Sequence, residues 1–226
     1  MTKQTWIRLV GMLFLLGCCA AAAEPMADRL KACAACHGEH GRSSAEGYYP
    51  SIAGKPVGYL HEQLRNFRDG RRHNAVMQQM LAYLSDDYLG EIALYYSAQN
   101  PALAVRQKIT NAETLALGRK LVEQGDPTRH LPACQSCHGT QLLGVQPGIP
   151  GLLALPSDYL AAQLGAWRVG VREASAPDCM AQVAKRLSEA DITAVTAWIA
   201  SRPVPDPHRA AARLVSELPL RCGGVQ

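Results

Sequence analysis

Cys33-Ala34-Ala35-Cys36-His37-Gly38 returns 101 positions later as Cys134-Gln135-Ser136-Cys137-His138-Gly139, and this recurrence decides how the rest of the chain is read. Around it the echo continues. Pro50, Pro56, Tyr59, Leu60, Gln63, Leu64, Phe67, Arg68 and Gly70 are answered, 100 positions on, by Pro150, Pro156, Tyr159, Leu160, Gln163, Leu164, Trp167, Arg168 and Gly170. Met77, Leu84 and Ser85 are answered by Met180, Leu187 and Ser188 at a displacement of 103. A drift of so few residues means short loop insertions, so one domain has been duplicated in tandem.

Each copy carries the same helical plan. A helix precedes the first cysteine, around Met26 to Lys31 in one copy and Asn111 to Gln124 in the other, with Asn111 as cap and Gly125 as stop. A second opens at Pro56 or Pro156, a favoured first-turn position, and closes before Gly70 or Gly170. Leu60, Leu64 and Phe67, like Leu160, Leu164 and Trp167, fall at helical spacing. A third starts from Ser85 or Ser188 as N-cap and buries Leu89, Ile92, Ala93 and Tyr96, or Ile192, Val195 and Ile199. No convincing alternating strand is present. The expected architecture is all-α: a leader over 1–23, domains over 24–100 and 111–202, a linker over 101–110, and a tail over 203–226.

The leader has Lys3 and Arg8, an apolar stretch from Leu9 to Leu16, and small residues up to Ala23, the pattern of a secretory signal peptide. Its apolar core falls short of the about 20 residues that span a bilayer. Cleavage after Ala23 is one outcome. The other is lipoprotein processing at Leu15-Leu16-Gly17-Cys18, which leaves a lipid on Cys18 and a peripheral membrane anchor. Export places the mature chain in the periplasm. Formal charge is +4, and about +2 without Lys3 and Arg8, too weak an excess to imply a nucleic-acid partner. The first copy has 77 residues, a size at which apolar packing alone is marginal, so something apolar at its centre is expected.

Two cysteines flanking two residues, with histidine next, are what haem attachment requires. The thiols add to the two vinyl groups of the porphyrin, and the adjoining imidazole reaches the iron. With 8 cysteines and 7 histidines in 226 residues, chance would supply roughly 0.01 such motifs. Zinc would want four ligands, which neither copy offers; a redox dithiol predicts a βαβ setting that is missing. Two covalent haem c groups are therefore expected, on Cys33, Cys36 and His37 and on Cys134, Cys137 and His138. Met77 and Met180, matched in the repeat and placed outside the regular helices, are the candidate sixth ligands. A thioether favours ferrous iron, which suits a carrier. Met80 competes locally, but its counterpart is Val183. His40, His61, His73, His130 and His208 lack counterparts and are read as exposed or satisfied. Cys179 and Cys222 remain; in an oxidising compartment they suggest a disulfide closing 44 residues, although Cys179 as an iron ligand stays open.

These residues resemble the cytochrome c4 family, dihaem carriers built of two class I cytochrome c domains, over nearly all of Glu24 to Ser201. The resemblance implies His37 and Met77 as axial ligands of one haem and His138 and Met180 of the other. It also implies that the carbonyls of Pro50 and Pro150 accept hydrogen bonds from the ligand histidines. It implies a periplasmic shuttle from a quinol-oxidising bc-type complex to a terminal oxidase, meeting partners through small transient contacts. The tail and Cys179 depart from the pattern. Two rivals stand beside the carrier: a haem c subunit of a membrane-associated dehydrogenase, and a dihaem redox enzyme of peroxidase or thiosulfate dehydrogenase type.

Overall fold

The computed structural model describes residues 24–43, 49–103 and 111–225. The leader, Cys18 and most of the linker lie outside them. In the first copy α1 (Met26–Arg29) runs almost directly into α2 (Lys31–His37), which carries the first motif. Then come α3 (Val57–Arg68), α4 (Ala75–Leu81) and α5 (Asp86–Ala98). The second copy repeats this as α6 (Ala112–Glu123), α7 (Gln135–His138), α8 (Ser157–Arg168), α9 (Cys179–Arg186) and α10 (Glu189–Ala200). Pro56 and Pro156 cap α3 and α8 from one residue outside.

In the first copy α3 packs on α5, burying Leu60 against Leu89, Ile92 and Tyr96. In the second, α10 packs on α6 and α8 through Leu121, Val122, Leu160, Val195 and Trp198. Gly118 lets α6 and α10 approach backbone to backbone; a Cβ there would run into the carbonyl of Ala194. Caps fall where the side chains predict. Asn111 accepts from the Thr114 amide at 2.8 Å, Ser85 from Tyr88 at 3.3 Å, and Ser188 from Asp191 at 3.1 Å in a reciprocal capping box.

Two expectations are corrected. Met77 and Met180 do not stand outside the helices but inside α4 and α9, whose N-caps Asn74 and Asp178 accept from Met77 and Ala181 at 3.0 and 2.9 Å. Helices of 7 and 8 residues are too short to announce themselves by an apolar stripe. A short antiparallel ladder also exists, β1 (Gly144–Val145) with β2 (Ile149–Pro150). It is too brief to alternate.

The copies meet face to face about an approximate twofold relation. Arg72 bridges Arg172 antiparallel, His73 donates its amide to Val171, and Glu173 donates to Arg71. The tail lies across the second copy: Ala211 exchanges backbone hydrogen bonds with Gly144 and Gln146, and Gly223 donates to Pro177. Cys179 and Cys222 form a disulfide, so Cys179 keeps no thiolate for iron.

Candidate functional site

Both motifs open onto one cavity of about 1200 Å³ that runs through the two copies. It exceeds the roughly 300–1,000 Å³ of an ordinary small-molecule pocket. Cys33, Cys36, His37 and Met77 line its first-copy part; Cys134, Cys137, His138 and Met180 line its second. Within each motif the cysteines are three apart and the histidine follows on the same turn, so α2, and α7 with its capping residue Cys134, present all three together. Gly38 and Gly139 then turn the chain away at φ of 74° and 82°. A Cβ on Gly38 would sit 2.9 Å from the Ser43 backbone, which accounts for the glycine.

The imidazoles are fixed from behind. His37 Nδ1 lies 3.1 Å from the Pro50 carbonyl and His138 Nδ1 lies 2.7 Å from that of Pro150. A carbonyl only accepts, so Nδ1 donates and Nε2 keeps its lone pair. Burial lowers the pKa of both rings, which holds them neutral. Burial pushes the Cys33, Cys134 and Cys137 thiols the other way, Cys134 up to about 12. These are not the ready thiolates of a redox dithiol. Met77 packs on the core of the first copy, whereas its neighbour Met80 is 44% exposed.

A family model for cytochrome c matches residues 27–95 and 115–203. The chain belongs to the cytochrome c family. A thiosulfate dehydrogenase electron acceptor from Thiomonas intermedia (strain K12) is 36% identical over 213 residues, 94% of this chain and 97% of that one. The solved structure of reduced cytochrome c4 from Pseudomonas stutzeri matches with 31% identity and a TM-score of 0.67, covering 77% of this chain and 95% of that one. Thiosulfate dehydrogenase (TsdBA) from Marichromatium purpuratum matches with 35% identity and a TM-score of 0.68 over 76% of this chain but only 36% of that longer one. This chain is thus a dihaem cytochrome of the c4 type, an all-α tandem of two cytochrome c domains with two haem c groups.

The cavity of this cytochrome also fits the charge that haem brings. Arg72 and Arg172, 7% and 5% exposed, stand on its wall between the copies. Arg72 donates to Gln63 at 2.9 Å, Gln163 at 2.7 Å and the Tyr159 hydroxyl at 2.8 Å. Arg172 donates to Gln163 and Gln63, each at 2.8 Å. Their planes stack on Phe67 and Trp167, 4.3 and 3.7 Å from the ring centroids. Burial pushes the Tyr59 phenol up, but the charges of Arg172 and Arg72 bring it below its ordinary value. Two buried cations held by neutral oxygens suit a cofactor carrying carboxylates.

Sequence reasoning missed this pair, although Arg72 and Arg172 continue the 100-residue echo of Tyr59 and Gln63. It also missed Lys55, which repeat comparison hides because Leu155 takes its place. Lys55 is buried, and burial lowers its pKa to about 8. His208 is a further correction: it is not exposed but 6% accessible, its Nε2 without a hydrogen-bond partner among the described residues, packed by the tail against Gly54.

Proposed function

We propose that this cytochrome is a periplasmic one-electron carrier that accepts electrons from a thiosulfate dehydrogenase and passes them towards a terminal oxidase. When bound, haem iron supplies a reversible one-electron couple. Cys33 and Cys36, with Cys134 and Cys137, would hold the two groups covalently; His37 with Met77, and His138 with Met180, would supply the iron's protein ligands. The observation that carries the carrier reading is the matched setting of the two histidines, each oriented by a proline carbonyl in a cavity that also receives a methionine. With a histidine and a methionine of the chain to hold each iron, neither site would be left open for a substrate, and rigid ligands would limit reorganisation during transfer. The domains are assigned to 24–100 and 111–202. Oxidative joining of two thiosulfate ions through a sulfur–sulfur bond releases two electrons, which two one-electron centres receive together.

The donor is suggested by the electron acceptor from Thiomonas intermedia, which this chain matches almost end to end. The likeness to cytochrome c4 favours a second donor, a quinol-oxidising bc-type complex. No helix among the described residues is long and apolar enough to cross a membrane; a lipid at Cys18 would supply a peripheral anchor. Stopped-flow spectra of the oxidised protein separate the readings. With thiosulfate dehydrogenase and thiosulfate, both haems are expected to reduce within the enzyme's turnover time, and thiosulfate alone is expected to do nothing. Reduction only by quinol with a bc-type complex would reject the first donor. Rapid stoichiometric cyanide binding to one haem at neutral pH would reject the carrier for an enzyme.

A further inference from the structure

Lys55 breaks the correspondence between the copies. Its repeat partner is Leu155, so at this position the first domain sends a charge across the interface and the second returns none. From its place just before α3, the Lys55 ammonium donates to the Gly151 carbonyl of the other copy at 2.8 Å. Gly151 directly follows Pro150, whose carbonyl accepts from His138 at 2.7 Å. The ammonium therefore ends beside the loop that orients the second histidine. It is 7% exposed, and no carboxylate among the described residues pairs with it. The arginines do not undo this asymmetry: Arg72 bears on His37, but Arg72 and Arg172 are matched across the interface and each bonds to both Gln63 and Gln163.

We infer that Lys55 sets the two haem centres apart in reduction potential, raising that of the centre on His138 from the opposite domain. The inference rests on the carrier reading above. A fixed positive charge in a poorly screened interior opposes the ferric state, which carries one more positive charge than the ferrous, and so favours electron residence nearby. Lys55 thereby gives the molecule an internal direction, from the first copy to the second. Lys55 is a positioning residue in this sense, acting on the centre through the field and through the Pro150–Gly151 loop.

The test is a redox titration of the full-length holoprotein, with the wave of the second centre assigned by its fall in Met180→Ala. Lys55→Met and Lys55→Gln are expected to shift the electron-sharing equilibrium between the haems about tenfold towards the first, equivalent to about 59 mV on the second wave. The first wave is expected to stay in place. Lys55→Arg, which keeps the charge, is expected to preserve the wild-type separation. Lys55→Gln keeps a donor for Gly151, so it carries the comparison if Lys55→Met does not fold. An unmoved second wave, an equal movement of both waves, or a shift that Lys55→Arg shares would overturn the inference. Failure of the carrier reading would instead show in the wild type, as the absence of two methionine-type centres.

Discussion

Burying the Lys55 ammonium against a single carbonyl works against folding. Its pKa is held at about 8, against an ordinary 10.5, so the unfolded chain binds the proton more readily than the folded one. Below about pH 8 the penalty is fully present; between about 8 and 10.5 the folded state gains stability as the lysine discharges. Lys55→Met is accordingly expected to be more stable than the wild type at pH 7, by roughly 1–3 kcal/mol after loss of the Gly151 hydrogen bond. Urea titrations at pH 7 and 10 check this, with the gap narrowing at the higher pH. The methionines give a second expectation: Met77→Ala and Met180→Ala should each remove half of the far-red absorption of the ferric protein and open one haem to carbon monoxide. A full band in either variant would send the assignment back to Met80 or to another ligand. That the cysteines, histidine and methionine of each copy line one cavity could be expected from the sequence, because haem chemistry restricts residue type and spacing. Lys55, Arg72 and Arg172 could not, because their roles exist only once the two copies face each other.

Among the elements, legibility followed length and capping. The helices α3, α5, α6, α8 and α10 run 12 or 13 residues and show either an apolar stripe or a cap. The shorter α4 and α9 were hidden, although Asn74 and Asp178 cap them, since a cap followed by only two turns also describes a turn. The start of α10 is reinforced from outside its own sequence. Arg129 reaches Asp191 at 2.6 Å and Asp126 at 2.7 Å, tying the loop after α6 to the capping box of Ser188. The Thr128 hydroxyl and then Arg129 hold Asp126 at about 2. Burial pushes Asp191 up, yet Arg129 and the Ser188 groups bring it below the usual range. Both carboxylates are depressed on folding, so their contribution is complete above about pH 4 and is lost as pH falls below it, for Asp126 towards about 2. Arg129→Met should flatten that acid limb of the thermal midpoint, and an unchanged slope would assign it elsewhere. At the crossing of the same helix with α6, Gly118→Ala should destabilise by about 3 kcal/mol or more, read by urea unfolding.

Across the whole molecule the tail is the departure from a simple tandem. The segment after α10 is unannounced by any periodicity, yet it touches both domains: His208 packs on Gly54 of the first, while Ala211 joins Gly144 and Gln146 of the second. Its end returns to the cavity, where Gly223, Gly224 and Val225 stand with Cys179 and Met180. Only the Cys179–Cys222 pairing was legible, by counting the cysteines that haem leaves over; the course between them depends on backbone contacts that no side-chain pattern encodes. Because the bond joins α9 to the far end of the chain, its loop of 44 residues includes α10 and nearly all of the tail. The chain-entropy model gives such a loop roughly 4 kcal/mol, an upper figure since the tail also has native hydrogen bonds. Cys222→Ser should lower the unfolding free energy by up to that amount and leave the tail held by its backbone contacts and the packing of His208. Arg209 and Arg213 are exposed on that segment. Trypsin should therefore release the tail from Cys222→Ser much faster than from the oxidised wild type, and the loss should weaken the second methionine's far-red signal before the first's, as α9 loses its tether. Equal cleavage rates would mean that the backbone pairing at Ala211, and not the sulfur bridge, keeps the tail in place.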